Sequence, residues 1–153
     1  MAVQRAEPGP DPDDLSLPSR PVPATSLSQS LPATGENVGR MRRAVTHFAA
    51  GHGASERSLD SVTLAVSEAL TNVVVHAYRN VAVPGPVLIV AAVRDDALIV
   101  TVADEGCGMT PRADSPGLGL GLGLMAGLAE TFEVTPRAAG PGLVLRMRFA
   151  LAG

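Results

Sequence analysis

Glu68, Asn72 and His76 follow one another at intervals of four in the stretch SEALTNVVVHAY, Ser67 to Tyr78. On an α-helix this spacing keeps all three within roughly 80° of arc, a polar stripe beside the small or apolar Ala65, Ala69 and Val73. Such a stripe is either the solvated face of an amphipathic helix or a carboxylate and an amide at the rim of a core, where they need partners. A second carboxylate, Asp104, closes the run ALIVTVAD. It is in phase with Leu98, Val100 and Val102, so on a strand it shares their inward face and wants a hydrogen-bond donor there. Gly106 and Gly108 follow at once and allow either a tight Asp-containing turn or the close approach of backbone to a flat ligand. The third feature is GLGLGLGLMAGL, Gly117 to Leu128. Free N–H groups at a helix N-terminus, unobstructed by side chains, make an anion site suited to phosphates. Leucines rather than serines between the glycines argue against a solvated linker.

These residues need elements to hold them. SLSQSL, Ser26 to Leu31, alternates as an edge strand that Pro32 ends. Thr34 is a candidate N-cap for a helix with Val38, Met41, Val45 and Phe48 inward, stopped by Gly51. A second helix is predicted from near Ser58 to about Tyr78, its stripe made of Leu59, Val62, Val66, Ala69, Leu70, Val73 and Ala77. VLIVAAV, the turn Arg94, Asp95, Asp96 and then ALIVTVAD read as a hairpin. The glycine run reads as a loop that enters a helix at about Gly121 to Glu130. Phe132 to Thr135 and Leu143 to Leu151 supply two closing strands around Gly140, Pro141 and Gly142. The order β-α-α-β-β-loop-α-β-β predicts an α+β fold, a two-layer sandwich with a mostly antiparallel sheet covered by helices on one face. Residues 1 to 25 hold six of the 13 prolines and are expected to be a disordered, acidic tail, leaving one domain over 26–153.

All 12 basic residues are arginine. A Walker A loop, a kinase of the eukaryotic protein-kinase type and Schiff-base chemistry all require a lysine, so these classes are excluded. Net charge is −3 and aromatics are 3% of 153 residues, which argues against nucleic acid as a partner. The single cysteine, Cys107, cannot form an internal bridge. No purely apolar run reaches membrane-spanning length and the N-terminal residues do not resemble an export signal, so a cytoplasmic protein without membrane contact is expected. A zinc site built from His47, His52 and His76 is not expected.

Taken in order, ExxxN, DxGxG and GxGxG resemble the N-box and the two G-boxes of the GHKL ATPases, whose nucleotide pocket is the Bergerat fold. Within them, SEALTNVVVHAY followed by VADEGCGM is similar to the anti-sigma factor serine kinases of the SpoIIAB and RsbW type, over about Ser26 to Leu151. The resemblance implies ATP and Mg²⁺ as cofactors. It makes Glu68 the general base, Asn72 the Mg²⁺ ligand and Asp104 the acceptor for the adenine amino group. Gly106 and Gly108 would then admit the ring, and Gly119, Gly121 and Gly123 would surround the phosphates. His76 receives no catalytic role.

Two departures from the family pattern stand out. The lid stretch Asp114 to Gly117 reads DSPG, where relatives place a cation, which leaves Arg112 as the lid arginine. The last strand begins Gly142, Leu143 rather than Gly-Thr. Both bear on phosphoryl transfer more than on nucleotide binding. The implied function is that of a regulator that captures a sigma factor and phosphorylates a serine on a STAS-domain anti-anti-sigma protein, as a possible homodimer. A nucleotide-binding switch without kinase activity stays open, and the lid cation discriminates the two. A sensor histidine kinase is not expected, since the chain leaves no room for dimerisation helices, and gyrase- or MutL-type relatives use further domains and a lysine.

Overall fold

The computed structural model describes residues 26–107 and 118–152, with Leu118, Gly119 and Leu120 described by their backbone alone. The expected tail, Gly108, Arg112 and the DSPG stretch lie outside the described residues. The elements are β1 (Ser26–Pro32), α1 (Gly35–Gly51), α2 (Glu56–Asn72), a π-helical turn (Val73–Ala77), β2 (Pro86–Arg94), β3 (Ala97–Asp104), α3 (Leu118–Leu128), β4 (Thr131–Pro136) and β5 (Leu143–Ala150). All strand pairs are antiparallel, in the order β1-β2-β3-β5-β4. This is the expected two-layer α+β sandwich.

Local chemistry sets most of the boundaries. Thr34 caps α1 by accepting the Asn37 N–H at 3.4 Å. Gly53, at φ +86, turns the chain out of the helix. The two-residue turn between β2 and β3 places both Asp95 (φ 49) and Asp96 (φ 58) in the left-handed region that a type I′ hairpin demands. Helix α2 begins at Glu56, before the expected start near Ser58, because Ser55 is its cap. The Ser55 hydroxyl accepts the Ser58 N–H at 3.2 Å, and Ser58 turns inward to donate to the Ala150 carbonyl at 2.7 Å.

All three helices cover one face of the sheet. Val62, Val66, Ala69, Leu70 and Val73 meet Ile89, Ala91, Leu98, Val100, Val102, Leu145, Met147 and Phe149 in a single apolar cluster. Pairing alternation puts these strand residues on one side: Ile89 lies opposite Val102, and Val100 opposite Met147. Each fully buried side chain of this kind contributes about 1.5–3 kcal/mol. The central strand β3 is buried along its whole length, in keeping with a sequence in which only Thr101 and Asp104 are polar. Glu56–Ala77 has the length and mean hydropathy (1.2) of a membrane span. Its apolar stripe is spent on this core, so it is the core helix of the domain.

Candidate functional site

Glu68 and Asn72 lie one turn apart on α2, as their spacing requires. Asn72 is buried at 7% exposure and Glu68 is half-buried. The Asn72 Nδ2 has no hydrogen-bond partner among the described residues, an orphaned donor at the edge of a core. Gly121 of α3 packs directly on the pair. A Cβ at Gly121 would stand 3.2 Å from Asn72 Nδ2 and 3.3 Å from Glu68 Oε2. Glycine is thus the residue that lets α3 approach α2 this closely. His76 leaves the stripe, because the π-helical turn after Asn72 breaks the α-helical phase.

Asp104 ends β3 at 2% exposure, opposite Val87. Its Oδ1 accepts the Gly106 N–H at 2.9 Å, while Oδ2 is buried and has no hydrogen-bond partner among the described residues. Burial pushes this carboxyl above the ordinary aspartate range, against the opposing pull of the Gly106 and Leu143 amides and of Arg137. A buried carboxylate oxygen left unpaired in this way is an acceptor waiting for a donor. Gly106 itself rests on the carbonyl oxygen of Ala77, in contact too close for any Cβ. That contact joins the carboxylate turn to the end of the helix carrying Glu68 and Asn72.

The glycine run departs from its expected conformation. It is helical from Leu118, not a loop to about Gly121. Leucines two apart in a helix are turned about 200° from each other, so they spread round the helix instead of forming one stripe. Gly121 then faces α2, and close packing there outweighs a helix cost of roughly 1 kcal/mol per glycine. Gly119 and Gly121 fall in the first turn, where N–H groups lack helical acceptors. Gly123 falls in the second turn, is exposed, and a Cβ there would meet nothing within 4 Å.

Three residues to which sequence reasoning gave no place beside Asp104 frame that end of β3. Arg137 lies 3.7 Å from Glu105 and donates to the Pro141 carbonyl at 3.1 Å. Gly142, at φ +122, lies on the Asp104 carbonyl oxygen. The Tyr78 hydroxyl donates to the Pro86 carbonyl at 2.6 Å and accepts the Glu105 N–H at 2.8 Å. Tyr78 is the one tyrosine in the chain and closes the ExxxN stretch, a signal that was available in the sequence.

A family model described as a histidine kinase-like ATPase domain matches residues 31–149. The anti-sigma F factor of Clostridium acetobutylicum is 31% identical over 131 residues, covering 78% of this chain and 90% of the relative. The serine-protein kinase RsbW of Bacillus subtilis is 39% identical over 83 residues, which is 54% of this chain and 51% of that protein. Among solved structures, the RsbU and RsbW domains of Rv1364c from Mycobacterium tuberculosis share the fold, with a TM-score of 0.66 at 23% identity, covering 85% of this chain and 33% of that one. The histidine kinase domain of the blue-light activated kinase EL346 from Erythrobacter litoralis gives a TM-score of 0.51 at 26% identity, over 79% of this chain and 62% of its own. With a helix-borne carboxylate and amide, an unpaired buried carboxylate oxygen at a strand end and a family match across most of its length, this chain belongs to the histidine kinase-like ATPase domain family.

Proposed function

We propose that the protein is an ATP-dependent anti-sigma factor and serine-protein kinase, which holds a sigma factor and phosphorylates a serine on a STAS-domain anti-anti-sigma partner in the cytoplasm. The observation that carries this reading is the Glu68 and Asn72 pair, packed under Gly121 with an amide donor unpartnered. The names of the relatives, an anti-sigma F factor and a serine-protein kinase, support it. Homodimer formation and the STAS partner come from the motif resemblance.

The chemistry follows from the residues. The orphaned Asp104 Oδ2 accepts the exocyclic amino group of adenine, a match of one acceptor to one donor. Asn72 presents an amide oxygen, a hard ligand that would suit Mg²⁺, whose remaining ligands would be phosphate oxygens and water. Bound there, Mg²⁺ supplies charge neutralisation for the phosphates. Glu68 takes the proton from the attacking serine hydroxyl. The serine oxygen forms its bond to the terminal phosphorus as the bridging P–O bond breaks, and ADP departs. Gly106, Gly108, Gly119, Gly121 and Gly123 line the nucleotide, and Arg112 supplies the lid cation.

A second reading, a nucleotide switch without transfer, is favoured by Leu143, which brings no hydroxyl to the start of β5, and by the DSPG lid. Incubation with Mg·ATP and a serine-bearing STAS partner separates the two. Phosphoserine on the partner with wild type, absent with Glu68→Gln, is the expected result. Target binding by both proteins without any phosphoserine would establish the switch.

A further inference from the structure

A tyrosine hydroxyl has one proton to give and lone pairs to receive, and Tyr78 uses both at the place where β2 and β3 part. The last paired residues of these strands are Val87 and Asp104. Continued by one rung, the register would pair Pro86 with Glu105. The Tyr78 hydroxyl stands between those two residues, taking the Glu105 N–H at 2.8 Å and giving its proton to the Pro86 carbonyl at 2.6 Å. It replaces a direct backbone rung with a bridged one and holds the strand ends apart by the width of an oxygen. The opened chain then turns so that Gly106 lies on Ala77 and donates to Asp104 Oδ1 at 2.9 Å. The ring is fixed as well: a Cβ on Gly85 would stand 2.5 Å from Tyr78 Cε1.

We propose that Tyr78 is a positioning residue for base recognition, a wedge that prevents β2 and β3 from zipping past Asp104 and so aims its unpaired Oδ2. The inference rests on the assignment of Asp104 to the adenine amino group. With the hydroxyl removed, Glu105 N–H bonds Pro86 directly, Gly106 withdraws from Asp104 and the carboxylate rotates to recover a partner.

The test compares ADP with inosine 5′-diphosphate, in which a carbonyl replaces the amino group that Asp104 accepts from. Calorimetry on wild type should show a preference for ADP. In Tyr78→Phe the ADP affinity should fall about ten-fold, the scale of one hydrogen bond to a charged group, with inosine diphosphate affinity unchanged. A residue that only supports the fold would weaken both ligands alike, and that result overturns the proposal. So does a Tyr78→Phe protein that retains its full preference. In nucleotide-free protein, the Gly106 amide should exchange faster in Tyr78→Phe than in wild type. If Tyr78→Phe does not fold, Gly85→Ala decides the matter: it displaces the ring and keeps the hydroxyl, and it should lose the same preference. A wild type with no preference for ADP, or an Asp104→Asn protein with undiminished ADP affinity, would instead remove the adenine assignment, and the wedge with it.

Discussion

Gly142 lies on the carbonyl oxygen of Asp104 at φ +122, so the turn that opens β5 seals the strand end bearing the buried carboxylate. Both the contact and the dihedral exclude a side chain. Gly142→Ala should therefore destabilise the fold by about 2–3 kcal/mol, combining left-handed strain with a clash against backbone. Gly140 shares the left-handed region, at φ +86, but faces open space, so Gly140→Ala should cost only about 1 kcal/mol. Urea unfolding of the two variants checks the ordering.

The raised carboxyl of Asp104 makes a pH prediction of definite sign. The folded protein binds this proton more readily than the unfolded chain does, so its contribution to stability is present near the ordinary value of 3.8 and is lost as the pH rises through the folded-state value. Asp104→Asn removes the buried charge. Relative to wild type, nucleotide-free Asp104→Asn should gain stability as the pH rises towards neutral. Unfolding curves for both proteins, taken from neutral pH down towards that ordinary value, should show the gap narrowing on acidification. In the same range wild-type ADP affinity should fall as the acceptor is protonated.

Asn72→Ala should reduce the Mg²⁺-dependent part of ATP affinity, measured as the difference between calorimetric titrations with and without the metal. Glu68→Gln should keep nucleotide affinity near that of wild type and abolish transfer to a partner serine, a loss on the order of 10²-fold or more for a general base.

Gly121 and Gly123 are two residues apart on α3 and should differ in their effect on stability. Gly123→Ala meets open space and gains about 0.5–1 kcal/mol of helix stability. Gly121→Ala gains the same propensity but pushes a methyl group against Asn72 and Glu68, so its net stability should change little while nucleotide affinity falls. Thermal midpoints and ADP titrations of both variants provide the comparison.

Much of this was legible because it is local. The β-rich run ALIVTVAD, the four-residue spacing of Glu68 and Asn72 and the Thr34 cap each report on neighbours within a few residues, and the strand, the helix and the cap are all present, although α2 starts earlier than expected and passes into a π turn after Asn72. The start of α3 was not legible, since a period-two alternation of leucine and glycine carries no helical signature and only packing against α2 makes it a helix. The places of Tyr78, Arg137 and Gly142 beside Asp104 were missed for a related reason. Glu105 for Tyr78 and Arg137, and Asp104 for Gly142, are distant in sequence and become neighbours only when the sheet forms.

The π-helical turn Val73–Ala77 acts on the reading frame of the helix. A π turn accommodates a residue that a regular α-helix would not, and it places that surplus between Asn72 and the Ala77–Tyr78 pair. Because the surplus is taken up inside the turn, Ala77 and Tyr78 keep nearly the orientation toward Glu68 and Asn72 that an α-helix one residue shorter would give them, whereas winding the same residues as regular α-helix would turn them by about 100°. Substitutions that favour regular α-helix over the π turn would put one half of the pocket out of step with the other. The wider winding, more than any one side chain, is what this segment has to preserve.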